Sequence, residues 1–178
     1  MTNAIRWAVF ISGRGSNLCA AIDEFGDQIA CVVSTKAHAV GVLRAKRAGI
    51  PVLILTQRPD WQALNAELKR RKINKIFLLG FMKILPVEFI NEWTKMIVNL
   101  HPSLLPAYPG LQSIERAFNE QQDIGVTVHE VTPEVDAGAI LLQKKSLSCQ
   151  RILQLSLDAA ELKVHQDEQL LVRKFIGR

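Results

Sequence analysis

The sequence predicts an α/β fold with a mostly parallel sheet, and three observations carry that prediction. Short apolar runs alternate with segments of helical periodicity. At least one of those runs, Met96-Ile97-Val98-Asn99-Leu100, is apolar on successive residues, as in a strand covered on both faces. A glycine-rich turn follows the first run and opens a helix, the usual first step of such folds.

The elements follow in order. Ala8-Val9-Phe10-Ile11 is a strand that ends at Gly13-Arg14-Gly15-Ser16-Asn17, after which Leu18, Ala21, Ile22 and Phe25 recur at helical spacing. Residues 30–34 form a second strand, 42–48 a helix closed by Gly49, and 51–55 a third strand. A helix over 60–71, carrying Trp61, Leu64 and Leu68, leads to a fourth strand at 75–79 that ends at Gly80. A short helix at 87–93 precedes the fifth strand, which Pro102 stops because it has no ladder donor. A helix at 113–119, strands at 125–131 and 140–143, and one long helical pattern over 152–175 complete the chain. The resulting expectation is a single domain, residues 1–178, with a Rossmann-like twisted sheet, helices on both faces, right-handed crossovers and antiparallel strands near the C-terminal part.

Composition narrows the function classes. Hydrophobic residues make up 48% and charged residues 22%, and no apolar run reaches the roughly 18 residues of a membrane span. The N-terminus lacks the zones of a signal peptide, so a cytoplasmic protein without membrane partners is expected. Cys19, Cys31 and Cys149 are odd in number and widely spaced, which excludes a disulfide framework and a CxxC motif and leaves free, mostly buried thiols. The net charge of +5 raises the question of nucleic acid, but the one basic cluster, Lys69-Arg70-Arg71-Lys72, falls on a helix end, where cations complement the dipole. Aromatics are only 6%, which gives little for base stacking, and a small anionic substrate accounts for the mild positive excess equally well. His38, His129 and His165 lack metal-ligand spacing such as His-x-x-x-His, and no metal is expected.

Two constellations carry chemistry. The 13–17 loop offers backbone N–H groups, a helix N-terminus, the Ser16 and Asn17 side chains and the Arg14 guanidinium, all suited to phosphate. It lacks the Gly-Lys-Ser/Thr ending of a Walker loop, and Leu18 stands where a dinucleotide fingerprint has its third glycine. On spacing alone, a phosphate loop and an ordinary turn capped by Ser16 or Asn17 stand level. The second constellation is Asn99 and His101. Residues i and i+2 of a strand point to the same side, so an amide and an imidazole project together from the end of the fifth strand. Both can stabilise an oxyanion, and imidazole can also exchange a proton. Asp136, in a glycine-containing loop, is the best candidate for a third group that orients the ring, with Glu134 as the competing carboxylate. Ligands of parallel α/β sheets bind beyond the carboxyl ends of the strands, which is where the 13–17 loop and Asn99/His101 are both expected.

The motifs "ISGRGSN", "GFMKILP", "NLHPSLLPAYPG", "GVTVHEV" and "EVDAGAILLQ" resemble, in order and spacing, the phosphoribosylglycinamide formyltransferases, a branch of the folate-dependent formyltransferase family. "GRGSN" and "YPG" favour this branch over the methionyl-tRNA one. The resemblance implies transfer of a formyl group from the co-substrate 10-formyltetrahydrofolate to the amine of glycinamide ribonucleotide. It implies that Asn99, His101 and Asp136 are the catalytic residues, and that Gly13, Arg14, Gly15, Ser16 and Asn17 hold the ribonucleotide phosphate. Met82, Lys83, Ile84 and Leu85 would form a wall of the folate pocket, with Val135, Ala137 and Gly138 in the folate-binding loop. Glu168 would contact the acceptor amine or ribose. The chain departs from the pattern at Lys83 (usually Arg), Gln112 (usually His), Ala137 (usually Gly) and Ala139 (usually Pro), and after residue 145 the match is weak. A monomer or homodimer is expected. The rival readings are a formyltransferase for another phosphorylated amine, an NADP-binding oxidoreductase resting on Gly13-x-Gly15 and Lys36, and a non-catalytic folate- or nucleotide-binding module.

Overall fold

The structure, a computed structural model, describes residues 4–176. Its elements run β1 (Trp7–Ile11), α1 (Ser16–Phe25), β2 (Ile29–Ser34), α2 (Val40–Arg47), β3 (Val52–Ile54), α3 (Trp61–Arg70), β4 (Lys75–Leu78), α4 (Val87–Glu92), β5 (Met96–His101), α5 (Ser113–Asn119), β6 (Ile124–Glu130), β7 (Ile140–Leu147), α6 (Cys149–Ile152) and α7 (Leu157–Ile176). The seven strands order β3-β2-β1-β4-β5-β6-β7. Strands β1, β2, β3 and β4 pair in parallel, and β6 and β7 pair antiparallel. The α/β, mostly parallel prediction therefore holds, including the antiparallel strands near the C-terminal part. By contacts the chain divides into two compact units, one up to Val98 and the other from Asn99, so the boundary falls inside β5.

In the first unit every residue of β1 is buried, which is what a continuous apolar run demands. Trp7, Phe10, Leu68, Ile73, Ile76, Phe77 and Phe89 form its core. Helix α2 ends as its glycine requires: Gly49 takes φ +70, and the Ile50 N–H returns to the Ala45 carbonyl at 2.9 Å. Helix α3 begins on Asp60, whose carboxylate accepts from the Ala63 N–H at 2.9 Å. It ends on the basic cluster, where Glu67 pairs with Arg70 at 2.7 Å and Arg71 at 2.6 Å, so those charges belong to the helix end. In the second unit α7 packs on β6 and β7, and α5 packs on β6 and α7.

Three expectations need correction. The long C-terminal helix starts at Leu157 and not at 152, because Ser156 begins it by accepting the Ala159 N–H, and a separate short helix, α6, begun by Ser148 on the Arg151 N–H, ends where the predicted one started. Strand β7 runs on to Leu147, four residues past its predicted end, since its alternating burial admits Lys144 and Lys145. Of the thiols only Cys31 is buried; Cys19 is half-buried and Cys149 exposed on α6. Burial pushes the Cys31 thiol up to about 11.

Candidate active site

Strand β5 delivers Asn99 and His101 two residues apart, and the 132–138 loop brings Asp136 to both. The Asn99 amide donates to Asp136 Oδ1 at 3.3 Å, and His101 Nδ1 lies 3.4 Å from Asp136 Oδ2. Asp136 sits at φ +53, a left-handed conformation that Asp tolerates better than most residues, and the Gly110 N–H fixes its Oδ2 at 2.8 Å. The same loop needs Gly138, because a Cβ there would lie 1.9 Å from the Glu130 carbonyl oxygen. Ala137 is exposed and its φ is not positive, so the departure from glycine at this position fits without backbone strain. Gln112, the departure from histidine, takes φ +55 as the residue before α5 and makes no side-chain cap.

A fourth polar residue belongs here. His129, on β6, is 2% exposed; its Nδ1 faces the Glu130 carbonyl at 2.8 Å, so that nitrogen carries the proton. Its Nε2 is left to accept from the Asn99 amide at 3.1 Å and lies 3.4 Å from Asp136 Oδ1. Both hydrogens of the Asn99 amide are thereby engaged, which fixes the amide's orientation. The sequence held a signal for this residue: Thr127 and His129 are polar residues at i and i+2 of an apolar strand, the pattern that singled out Asn99 and His101.

The electrostatics follow from these contacts. Burial opposes ionisation of Asp136, but the Gly110 N–H and the polar surroundings outweigh it and hold the carboxyl at about 2. Asp136 is thus a carboxylate throughout the physiological range. Burial also dominates at His101, and with the positive potential of Arg116 it pushes the imidazole below its ordinary value, against the Tyr108 carbonyl and Asp136. His101 therefore carries a single ring proton at neutral pH, and the 3.0 Å contact from Nε2 to the Tyr108 carbonyl assigns that proton to Nε2.

The turn after β5 is held by a buried hydroxyl. Thr127 Oγ1 donates to the Ser103 carbonyl at 2.7 Å and accepts from the Leu105 N–H at 3.3 Å and the Gln143 amide at 2.9 Å. One donor and two acceptor positions are all used. Glu168 is 6% exposed, not a solvated acid, and its carboxylate accepts from His165 Nδ1 at 2.8 Å. That hydrogen bond raises the His165 pKa.

The 13–17 loop, in the other unit, is shaped by missing side chains. Gly15 takes φ +70 before α1, and a Cβ on it would lie 2.7 Å from the Gly41 Cα. Neither Ser16 nor Asn17 caps α1, which corrects the bland reading of this turn. Gly13 and Arg14 are exposed, and Asn17 is buried. No sequence pattern pointed to Arg44, whose guanidinium donates to the Gly15 carbonyl at 3.1 Å from α2. Elsewhere in this unit Ser12 joins three segments: it accepts from the Met82 N–H and the Thr35 hydroxyl, each at 2.9 Å, and its own N–H bonds the Gly80 carbonyl at 3.1 Å. The 81–85 segment so anchored exposes Met82 (68%) and Ile84 (76%), buries Leu85, and directs Lys83 Nζ to the Gln57 carbonyl at 3.1 Å. Val135, in the second unit, is 54% exposed. Among the described residues, no His, Cys, Asp or Glu group is arranged to hold a metal ion, and no helix is long and apolar enough to cross a membrane.

The profile of the family described as formyl transferase matches residues 5–174. The phosphoribosylglycinamide formyltransferase of Haemophilus influenzae is 43% identical over 150 residues, covering 78% of this chain and 71% of its own. The trifunctional purine biosynthetic protein adenosine-3 of Drosophila pseudoobscura is 41% identical over 152 residues, and this chain spans 11% of its length. The crystal structure of phosphoribosylglycinamide formyltransferase from Anaplasma phagocytophilum superposes with a TM-score of 0.88 at 33% identity, covering 97% of this chain and 85% of that one.

Proposed function

This chain belongs to the formyl transferase family, and we propose that it is a phosphoribosylglycinamide formyltransferase, moving the formyl group of 10-formyltetrahydrofolate to the amine of glycinamide ribonucleotide in purine synthesis. A formyl donor of folate type is what the family implies. The reading treats residues 1–178 as one formyltransferase domain, a cytoplasmic enzyme for small-molecule substrates.

The observation that carries it is the convergence of Asn99 and His101 on Asp136. The acceptor amine attacks the formyl carbon, and the carbonyl oxygen becomes a tetrahedral oxyanion. In the reading, the oxyanion replaces one of the present acceptors of the Asn99 amide and the Tyr108 carbonyl at the His101 N–H, and both groups stabilise it. Collapse breaks the bond to the folate nitrogen, which leaves with the proton the amine gives up. Asp136, ionised and fixed by Gly110, stabilises the His101 ring when it takes a second proton, at Nδ1, and so supports that proton transfer. The 13–17 loop holds the acceptor phosphate, Glu168 its amine or ribose, and the exposed apolar Met82 and Ile84, with Lys83 and Leu85, cover the folate, as do Val135, Ala137 and Gly138. Close packing on Gly41 already accounts for Gly15, so its glycine is no argument for a dinucleotide.

Titration separates this reading from its rivals. Saturable folate binding with no NADP binding, and formyl transfer under turnover, are the expected results. NADP binding in place of folate would overturn it, and folate binding without turnover would make the chain a passive module. Turnover only with a different phosphorylated amine would keep formyl transfer and replace the acceptor.

A further inference from the structure

The His101 ring faces an acceptor at each end, and only one end, Nδ1, faces Asp136. The other, Nε2, donates to the carbonyl of Tyr108, a residue at φ +55. A non-glycine residue in this region is strained and persists only where its surroundings impose it. The surroundings here are α5 and the residue that follows it. The Arg116 guanidinium lies 5.7 Å from the centre of the Tyr108 ring and donates to the Pro109 carbonyl. The Tyr108 hydroxyl donates to Glu120 at 2.7 Å. Arg116 of α5 and Glu120, which follows the helix, thus hold the Tyr108 ring and the Pro109 carbonyl, and the Tyr108 carbonyl between them meets the imidazole.

We propose that Arg116 is a positioning residue for His101: its Nη2–H on the Pro109 carbonyl and its charge over the Tyr108 ring fix the Tyr108 carbonyl at Nε2 and so select the Nε2–H form of the ring. The proposal rests on the reading of His101 as a residue of formyl transfer. Its consequence is chemical. A neutral imidazole has one proton for two acceptors, the Tyr108 carbonyl and the Asp136 carboxylate, and the stronger acceptor alone would draw it to Nδ1. The clamp keeps the N–H at the nitrogen facing away from Asp136, where an oxyanion can replace the carbonyl as its partner. The charged and titratable groups around His101 are Asp136 from the 132–138 loop, His129 from β6 and Arg116 from α5, so the competition is among these.

Nitrogen-15 NMR of the histidine rings in the substrate-free protein, with steady-state kinetics on the same samples, tests this. In Arg116→Gln the His101 proton moves toward Nδ1 and kcat falls about 10- to 100-fold, the range for a misplaced reacting group, with KM changed by less than about twofold. Arg116→Lys keeps a charge but not the planar guanidinium that reaches Pro109 and the Tyr108 ring together, so it shows the same tautomer change to a smaller extent. Thermal melts confirm that both are folded, and Arg116→Lys decides the matter if Arg116→Gln is not. An unchanged Nε2–H signal in Arg116→Lys and in any folded Arg116→Gln overturns the proposal. A wild type that performs no formyl transfer while its variants still show the tautomer change overturns the functional reading and leaves the positioning intact.

Discussion

The 13–17 loop and the Asp136 site are both built from short polar stretches after strands, yet they are held in opposite ways. The glycine loop owes its shape to absent atoms: the left-handed Gly15, its approach to Gly41, and a helix that starts without a side-chain cap. The Asp136 site owes its shape to present ones, with Asn99, His101, His129 and the Gly110 N–H converging on a single carboxylate. Substitution should therefore break the first by adding volume and the second by removing one partner. The first fails as backbone, the second as chemistry.

The largest effect is expected where chemistry is removed. His101→Ala and Asp136→Asn should each lower turnover by roughly two or more orders of magnitude while leaving the fold intact, as losing an oxyanion or proton-transfer partner does. Steady-state kinetics on the single and double variants should show non-additive losses if the pair acts as a unit. Near-wild-type turnover in either single variant would remove that residue from the mechanism.

The glycine loop sharpens the contrast. Gly15→Val should destabilise the protein by more than about 1 kcal/mol and impair both substrates, because Gly15 is needed by the backbone whatever it binds. Ser16→Ala should instead raise acceptor KM about tenfold, the worth of one charge-assisted hydrogen bond, and spare folate binding. Equal losses of both ligands in a stable Ser16→Ala protein would refute a phosphate role for the loop.

Thr127 tests how much of the active site is scaffold. Thr127→Val keeps the shape but leaves the Ser103 carbonyl and the Leu105 N–H without the hydroxyl they bond and the Gln143 amide with the Leu105 carbonyl alone, at a cost of about 1–3 kcal/mol. Denaturant unfolding measures it, and an unchanged midpoint would show the hydroxyl to be dispensable.

The smallest effects are two histidine titrations of opposite sign. His101, lowered by burial, should titrate below 6.5, and Asp136→Asn should lower it further by removing a negative charge. His165, raised by Glu168, should fall back in Glu168→Gln, a change expected to weaken acceptor binding by about 1–3 kcal/mol without altering folate affinity. The stability each ring contributes follows the same signs. That of His101 is present above its unfolded value of 6.5 and is lost as pH falls through its folded pKa. That of His165 is full below 6.5 and is lost as pH rises through its folded pKa. NMR titration of the two rings checks both directions.

The same contrast explains what could be read from the sequence. Buried parallel strands announce themselves by apolar runs, so β1 to β5 and α5 were legible, and polar side chains at i and i+2 of β5 pointed to Asn99 and His101. The equivalent pattern in β6 pointed to His129 equally, but a lone histidine in a strand covered on both faces passes for core. Arg44 and Arg116 left no trace, since one donates to Gly15 from another helix and the other acts on a backbone that only the folded turn creates. The break between α6 and α7 was hidden because Leu153, Leu155 and Leu157 continue an apolar pattern past the capping Ser156.

The most direct test is to mix the wild-type protein with glycinamide ribonucleotide and 10-formyltetrahydrofolate carrying a carbon-13 formyl group, with Asp136→Asn as the parallel sample. The prediction is a labelled formyl amide on the ribonucleotide, formed in step with free tetrahydrofolate and slowed at least about a hundredfold in the variant. Labelled donor left intact by the folded wild type, or transfer at the same rate by the variant, would contradict the account.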